Sequence, residues 1–234
     1  MEQDKSRIRV AIDGPSGAGK STIARAVAKR MEMDYIDTGA MYRAVAYKML
    51  RDNVPVSDMK QLEDMLADTD IDFVKGNILL DGEIINSKIR TPEVSALASE
   101  CSALAPGQVL RFRLRALAPV REKLVRLQRQ MGQKKSIIMD GRDIGTNVLT
   151  DAEYKFYLNA QPEERARRRH LELLEKGQQT SYLQVLEDIR LRDHNDMTRA
   201  LNPLRKAEDA REIDTTGMNL EQVICAIIDH IKGE

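Results

Sequence analysis

The chain has 234 residues, 32% of them charged, with 37 basic and 37 acidic side chains and a formal net charge of zero. That balance excludes a protein whose affinity rests on bulk neutralisation of nucleic-acid phosphates. The length suffices for one large domain with a sizeable core, and no apolar run approaches membrane-spanning length.

The start, Met1 to Arg7, is charged and carries no apolar signal region. Cys101 and Cys225 stand far apart, outside any metal-ligand spacing, and read as thiols of a reducing compartment. The expectation is a cytoplasmic monomer without membrane or nucleic-acid partners.

Ile8 to Ile12 reads as a buried strand. It runs into Gly14-Pro15-Ser16-Gly17-Ala18-Gly19-Lys20-Ser21, and a helix follows over Thr22 to Arg30. Strand, glycine-rich turn and helix are the context of a phosphate-binding P-loop. Its glycines let backbone N–H groups turn inward around phosphate oxygens, and the helix N-terminus adds partial positive charge. Lys20 would reach the β- and γ-phosphates of a nucleoside triphosphate, and the Ser21 hydroxyl would bind Mg²⁺.

Tyr35-Ile36 predicts a second strand, followed by a helix through about Arg51 with Thr38 as its cap. Arg43 projects from its first turns, and spacing alone leaves a phosphate ligand and a surface arginine both open. Ser57 to Leu66 reads as an amphipathic helix. Three short strands, 71–74, 77–80 and 83–85, follow with turn residues between them. This antiparallel patch interrupts a strand–helix alternation and reads as an inserted lobe.

Thr91-Pro92-Glu93 opens a helix to about Ala105. Ala103 to Pro106 then recurs as Ala116 to Pro119, thirteen residues on, which suggests an insertion or local duplication. Between the copies, Val109 to Arg115 alternates strictly and reads as a half-buried strand or exposed ribbon. Arg111, Arg113 and Arg115 would share one strand face, which reads as a solvated basic edge rather than a ligand site. Val109 to Lys135 holds nine basic residues against Glu122 alone, either an anion-binding wall or a solvated face.

Pro119 opens a helix over Val120 to Met131, and Ser136 to Asp140 is the next core strand. An aspartate at the C-terminal end of a strand beside the P-loop strand sits where ligands bind, so Asp140 would act near Mg²⁺ through water. Glu153 to Leu158 is a strand and Pro162 to Gly177 a helix. On that helix Arg165, Arg168 and Arg169 share a face, as phosphate ligands or as partners of Glu163 and Glu164. Tyr182 to about Arg199 is helical, with Arg192, Asp196 and Arg199 on one face, an arrangement that also fits an intrahelical ion-pair ladder. The strand at Glu212 to Thr215 and the helix at Asn219 to Ile231 close the chain. His170, His194 and His230 are scattered and read as structural or exposed.

Together these elements predict an α/β, three-layer P-loop NTPase fold with a mostly parallel five-stranded sheet and an inserted antiparallel lobe. No catalytic base stands out. That suits phosphoryl transfer, which depends on positioning and charge neutralisation, and the many arginines point to an anionic acceptor.

Five stretches resemble bacterial cytidylate (CMP) kinases: Ile12 to Thr22, Asp37 to Arg43, Ile89 to Val94, Asp140 to Thr146 and Arg192 to Pro203. The resemblance covers essentially the whole chain, and the thirteen-residue repeat is the departure from it. It implies one kinase domain with an acceptor lobe near residues 37–119 and a short helical lid near 162–180.

The implied activity moves the ATP γ-phosphate to CMP and dCMP, with Mg²⁺. By the same resemblance, Gly14, Pro15, Ser16, Gly17, Ala18, Gly19, Lys20, Ser21 and Thr22 bind ATP, with Arg168 in the lid. Arg43, Arg142 and Arg199 hold the acceptor phosphate, with Thr38 and Tyr42 close by. Arg192 and Asp196 lie near the ribose. Ser99, Arg121 and Asp143 read the cytosine edge. Lys20, Arg142, Arg192 and Arg199 act on the transferred group.

The base assignment is chemically coherent. A carboxylate accepts from the cytosine amino group, whereas uracil would present O4 to it. Two alternatives remain at this point: a kinase for another small anionic acceptor, and a P-loop module that holds ATP without turnover, its basic ribbon free to contact RNA.

Overall fold

The computed structural model describes residues 7–74, 76–102, 110–175, 177–199 and 201–233. The first layer to consider is a five-stranded sheet. Its strands are β1 (Arg9–Asp13), β2 (Asp34–Asp37), β6 (Ile137–Gly141), β7 (Tyr154–Asn159) and β8 (Arg211–Asp214), in the order β2-β6-β1-β7-β8. Every pairing in it is parallel. Parallel strands are covered on both faces, and the residues of β1 divide accordingly. Val10 and Ile12 enter one buried cluster with α1 (Lys20–Arg30) and α8 (Leu220–Lys232), whereas Ala11 enters the opposite one. Successive side chains of a strand point to opposite faces, which is the cause of that split.

On the second face lie α2 (Thr38–Arg51), α3 (Met59–Ala67), α4 (Pro92–Ser102) and α5 (Leu110–Lys134). They share one core with the antiparallel sheet of β3 (Ile71–Val74), β4 (Asn77–Leu80) and β5 (Glu83–Ile84). Two further helices, α6 (Pro162–Glu175) and α7 (Tyr182–Thr198), pack on each other through Ala166, Val185, Leu186 and Ile189. The five-stranded parallel sheet, its two helical layers and the antiparallel hairpin sheet are those the sequence predicts.

Two local expectations are overturned. Residues 110–115 are not a strand or ribbon but the first turns of α5, which continues to Lys134. Leucine and arginine are strong helix formers, and six alternating residues joined to a long helical segment do not hold a strand without a partner edge. Pro119 accordingly lies inside a helix rather than starting one. The first ALAP copy and Val109 lie outside the described residues, as does the end of the helix expected to reach Ala105.

The cap of α2 is Asp37, not Thr38: its carboxylate accepts from the Ala40 N–H at 2.8 Å. The Thr38 hydroxyl instead donates to the Asp140 carbonyl at 2.7 Å, which fastens the start of α2 to β6. An acid one residue earlier outcompetes the threonine because it adds charge to the same capping geometry.

Candidate active site

The site forms where β1, β2 and β6 end, at the edge where the chain leaves β1 for β2 on one side of the sheet and leaves β6 for β7 on the other. The loop after β1 is shaped by three glycines at positive φ: Gly14 at 148°, Gly17 at 76° and Gly19 at 81°. Gly14 has no alternative, because a Cβ there would lie 2.0 Å from the Leu158 carbonyl oxygen. Gly19 caps α1, whose first turn holds no acid, so its N–H groups stay available to an anion.

Lys20 opens α1 and is buried, and its Nζ donates to the Pro15 carbonyl at 2.7 Å. Burial and the nearby Arg142 charge hold its pKa well below the ordinary lysine value. An arriving phosphate would reverse that imbalance, since an adjacent anion favours the charged ammonium.

Beside Lys20, the Ser21 hydroxyl donates to Asp140 Oδ2 at 2.7 Å, and the Tyr35 hydroxyl donates to Asp140 Oδ1 at 2.8 Å. Burial, then the nearby Asp37 carboxylate, pushes the Asp140 pKa up. One hydroxyl and one carboxylate form the hard oxygen pair that suits Mg²⁺, which takes few protein ligands and completes its shell with phosphates and water.

Asp13, the last residue of β1, accepts from the N–H groups of Ile144 and Gly145, both at 2.8 Å. This carboxylate ties the P-loop strand to the turn that follows Arg142 and Asp143. Burial raises its pKa to about 6 against the opposing pull of those two hydrogen bonds.

Above the loop lies a cleft of about 620 Å³. Lys20, Arg43, Arg142, Arg168, Arg169 and Arg192 line it, against the acids Asp140, Glu172 and Asp188. Six cations against three acids make it a receptor for a polyanion. Arg43 pairs with Asp37 at 3.3 Å and keeps a buried Nε without a partner. Arg192 is accessible at the cleft, and the protein packed around it together with the Arg142 charge lowers its pKa. Arg168 donates to Glu164 at 2.9 Å and to the Thr215 carbonyl at 2.7 Å while lining the same cleft.

The intrahelical ladder that the spacing also fits is not what Asp196 and Arg199 form. Asp196 pairs with Arg142 at 2.6 Å, and Arg199, just past the last turn, pairs with Asp143 at 2.9 Å. Asp143 also receives Arg121 at 2.5 Å and the Asn147 amide at 3.1 Å. Arg121, Asp143 and Arg199 are all buried, so α5, the turn after β6 and the end of α7 meet in one ion triad. The Arg121 guanidinium additionally lies 3.4 Å from the Tyr42 hydroxyl. A second cavity of about 560 Å³ opens beside this triad, with Arg121 and Asn147 on its wall.

The structure therefore gathers Lys20, Ser21, Arg43, Arg142, Arg168 and Arg192 on one cleft, and Arg121, Asp143 and Arg199 in the adjoining triad. Ser99 falls within α4. Arg165 departs from its expected face: it is buried and bonded to the backbone of the P-loop, not turned to the cleft. Tyr35, Asp13 and Asp193 escape sequence reasoning. Only the place of Tyr35 within a short strand beside the P-loop strand's neighbour hints at it, and nothing local marks the other two.

A P-loop at the end of a parallel sheet, below an arginine-lined cleft, defines a phosphoryl-transfer enzyme of the P-loop kinase class. The solved structure of TT1252 from Thermus thermophilus shares this fold at 19% identity, covering 97% of this chain and 99% of that one, with a TM-score of 0.52. An uncharacterized protein from Eubacterium ventriosum does so at 13% identity and a TM-score of 0.51, covering 98% of this chain and all of the other. The cytidylate kinase family model matches residues 10–233, so the chain belongs to the cytidylate kinase family. The cytidylate kinase of Clostridioides difficile is 48% identical over 223 residues, covering 95% of this chain and 97% of its own. That of Caldicellulosiruptor saccharolyticus is 48% identical over 227 residues, covering 95% of each.

Proposed function

We propose that this chain transfers the γ-phosphate of ATP to CMP, and to dCMP, giving ADP and CDP or dCDP. Family membership supports the class of reaction. The observation that carries the choice of acceptor is Asp143, a buried carboxylate beside a cationic cleft, flanked by Arg121 and Arg199. A carboxylate accepts from the cytosine 4-amino group, and a guanidinium donates to N3 and O2. Uracil would set an acceptor against Asp143 and a donor against Arg121, leaving buried polar groups mismatched. A site of this kind discriminates by on the order of 10⁴-fold.

In this reading residues 14–22 cradle the triphosphate, and Lys20 leaves the Pro15 carbonyl for the β- and γ-oxygens. Ser21 would hold Mg²⁺ directly and Asp140 through water, the ion supplying neutralisation of phosphate charge. Arg43, Arg142 and Arg199 bind the acceptor phosphate, with Thr38 and Tyr42 alongside. Arg192 and Asp196 sit at the ribose, and Ser99 assists Arg121 and Asp143 at the base. Arg168 closes over ATP from the lid near residues 162–180, and residues near 37–119 form the acceptor lobe.

No covalent intermediate is required. The arginines hold donor and acceptor oxygens in line and offset the charge that gathers on the transferred group. The protein acts as a cytoplasmic monomer on small nucleotides. Among the described residues no helix is long and apolar enough to cross a membrane.

The test is ADP release from ATP and Mg²⁺ with CMP, dCMP, UMP or AMP supplied singly. Rapid turnover with CMP and little with UMP or AMP is the expected result. Comparable UMP and CMP turnover would overturn the base assignment.

A further inference from the structure

Arg165 sits in the first turn of α6 and Asp193 in the C-terminal half of α7, and both side chains are buried, with 4% and 11% of their surface exposed. They pair at 2.6 Å. Both also hold the P-loop by its main chain. Arg165 Nη1 donates to the Ser16 carbonyl at 2.8 Å, and the Ser16 N–H donates to Asp193 Oδ1 at 3.2 Å. The Arg165 Nε donates to the Ala160 carbonyl at 2.8 Å, which anchors the guanidinium to the end of β7. Gly17 leaves room for this contact, since a Cβ there would meet the Arg165 Cβ at 3.3 Å. Neither side chain reaches the cleft wall, whereas Arg168, Arg169 and Arg192 on the same two helices do.

A buried ion pair is a weak source of stability, because desolvation offsets most of its Coulomb attraction. The bonds to Ser16 give this pair a role besides stability. The loop that must present its N–H groups to a triphosphate is gripped from outside, on the N–H and the C=O of one residue. The two grips come from different helices, and one of these, α7, also carries Arg192 and Asp196.

We infer that Arg165 and Asp193 form a positioning clamp for the phosphate-binding loop. The clamp fixes the loop before ATP arrives and couples its shape to the packing of α6 on α7. This rests on the reading that the loop binds ATP. Pre-organisation of this sort lowers the ordering cost of binding, so its loss appears in affinity for the anion that the loop receives.

The test compares three variants of the full chain: Arg165→Lys, Asp193→Asn, and the apolar double replacement Arg165→Met with Asp193→Leu. ATP affinity is measured calorimetrically without acceptor, alongside kcat, the KM for each substrate and the melting temperature. The double variant is expected to melt near the wild type yet bind ATP about tenfold more weakly, with the KM for CMP unchanged. Arg165→Lys, which keeps the charge and loses the fork, is expected to recover part of that affinity. Should the double variant not fold, Asp193→Asn carries the test, with ATP affinity reduced severalfold and CMP affinity retained.

Wild-type ATP affinity in a folded variant, or equal rises in both KM values, would overturn the clamp. A wild type that binds ATP but does not phosphorylate CMP would overturn the functional reading and leave the clamp standing.

Discussion

Replacing Gly14 with alanine isolates the geometry on which the phosphate-binding loop depends. The added Cβ would lie 2.0 Å from the Leu158 carbonyl oxygen and 3.0 Å from its carbon. These are main-chain atoms of β7, which is paired to β1 on one side and β8 on the other, so they cannot swing away. The backbone of Gly14 also has φ at 148°, where L side chains are strained. Strain of about 1–3 kcal/mol joins overpacking of about 1–3 kcal/mol, for a total of roughly 2–6 kcal/mol. At about 2–4 °C per kcal/mol for a chain of this size, Tm falls by roughly 4–24 °C.

Gly82 and Gly177 provide the control. Both have positive φ, at 82° and 74°, and nothing lies within 4 Å of a Cβ at either. Alanine there carries the backbone cost alone, about 1–2 kcal/mol. Urea denaturation of the three variants separates clash from strain, and the KM for ATP should rise in Gly14→Ala only. If Gly14→Ala fell within 1 kcal/mol of the two controls, the close approach of Gly14 to the Leu158 carbonyl would be refuted.

Further outcomes follow from the same contacts. Lys20→Met should lower kcat by about 10²–10³ with little loss of stability, read by steady-state kinetics and thermal melts. Asp143→Asn removes the charge shared by Arg121 and Arg199, so stability should drop by about 2–3 kcal/mol and the CMP-to-UMP preference should narrow by at least tenfold. An unchanged preference would detach Asp143 from base reading. Asp13 gives a pH signature. Its folded pKa of about 6 lies above the ordinary 3.8, so the stability it contributes is present at low pH and is lost as pH rises from about 4 through 6. The loss is about 3 kcal/mol. Relative to wild type, Asp13→Asn should therefore gain about that much between pH 4 and pH 7, and a flat difference would contradict the shift.

Much of this was legible because it is local. The glycines of the loop between an apolar strand and a helix advertise their conformations, and β1, β6 and β7 show as short runs rich in apolar residues, whereas β8 (Arg211-Glu212-Ile213-Asp214) is marked mainly by its place between two helical segments. The alternation over residues 110–115 misled because a two-residue period over so short a stretch does not outweigh the helix that continues it. Thr38 misled for a different reason, since the neighbouring Asp37 could take the cap while the threonine hydroxyl was claimed by β6, about a hundred residues away. Spacing alone does not sort the arginines. Arg165 and Arg168 are three residues apart on one helix, yet one grips the back of the loop and the other lines the cleft. Asp196 and Arg199 find partners on the turn after β6 and not on their own helix. Such pairings are decided by how distant elements pack.

The most direct test of phosphoryl transfer to CMP follows the phosphate itself. ATP labelled at the γ-position is mixed with CMP and Mg²⁺, and the label is traced by chromatography. Label is expected in CDP, matched mole for mole by ADP. Label released only as inorganic phosphate, or retained in ATP that is nonetheless bound, would contradict it.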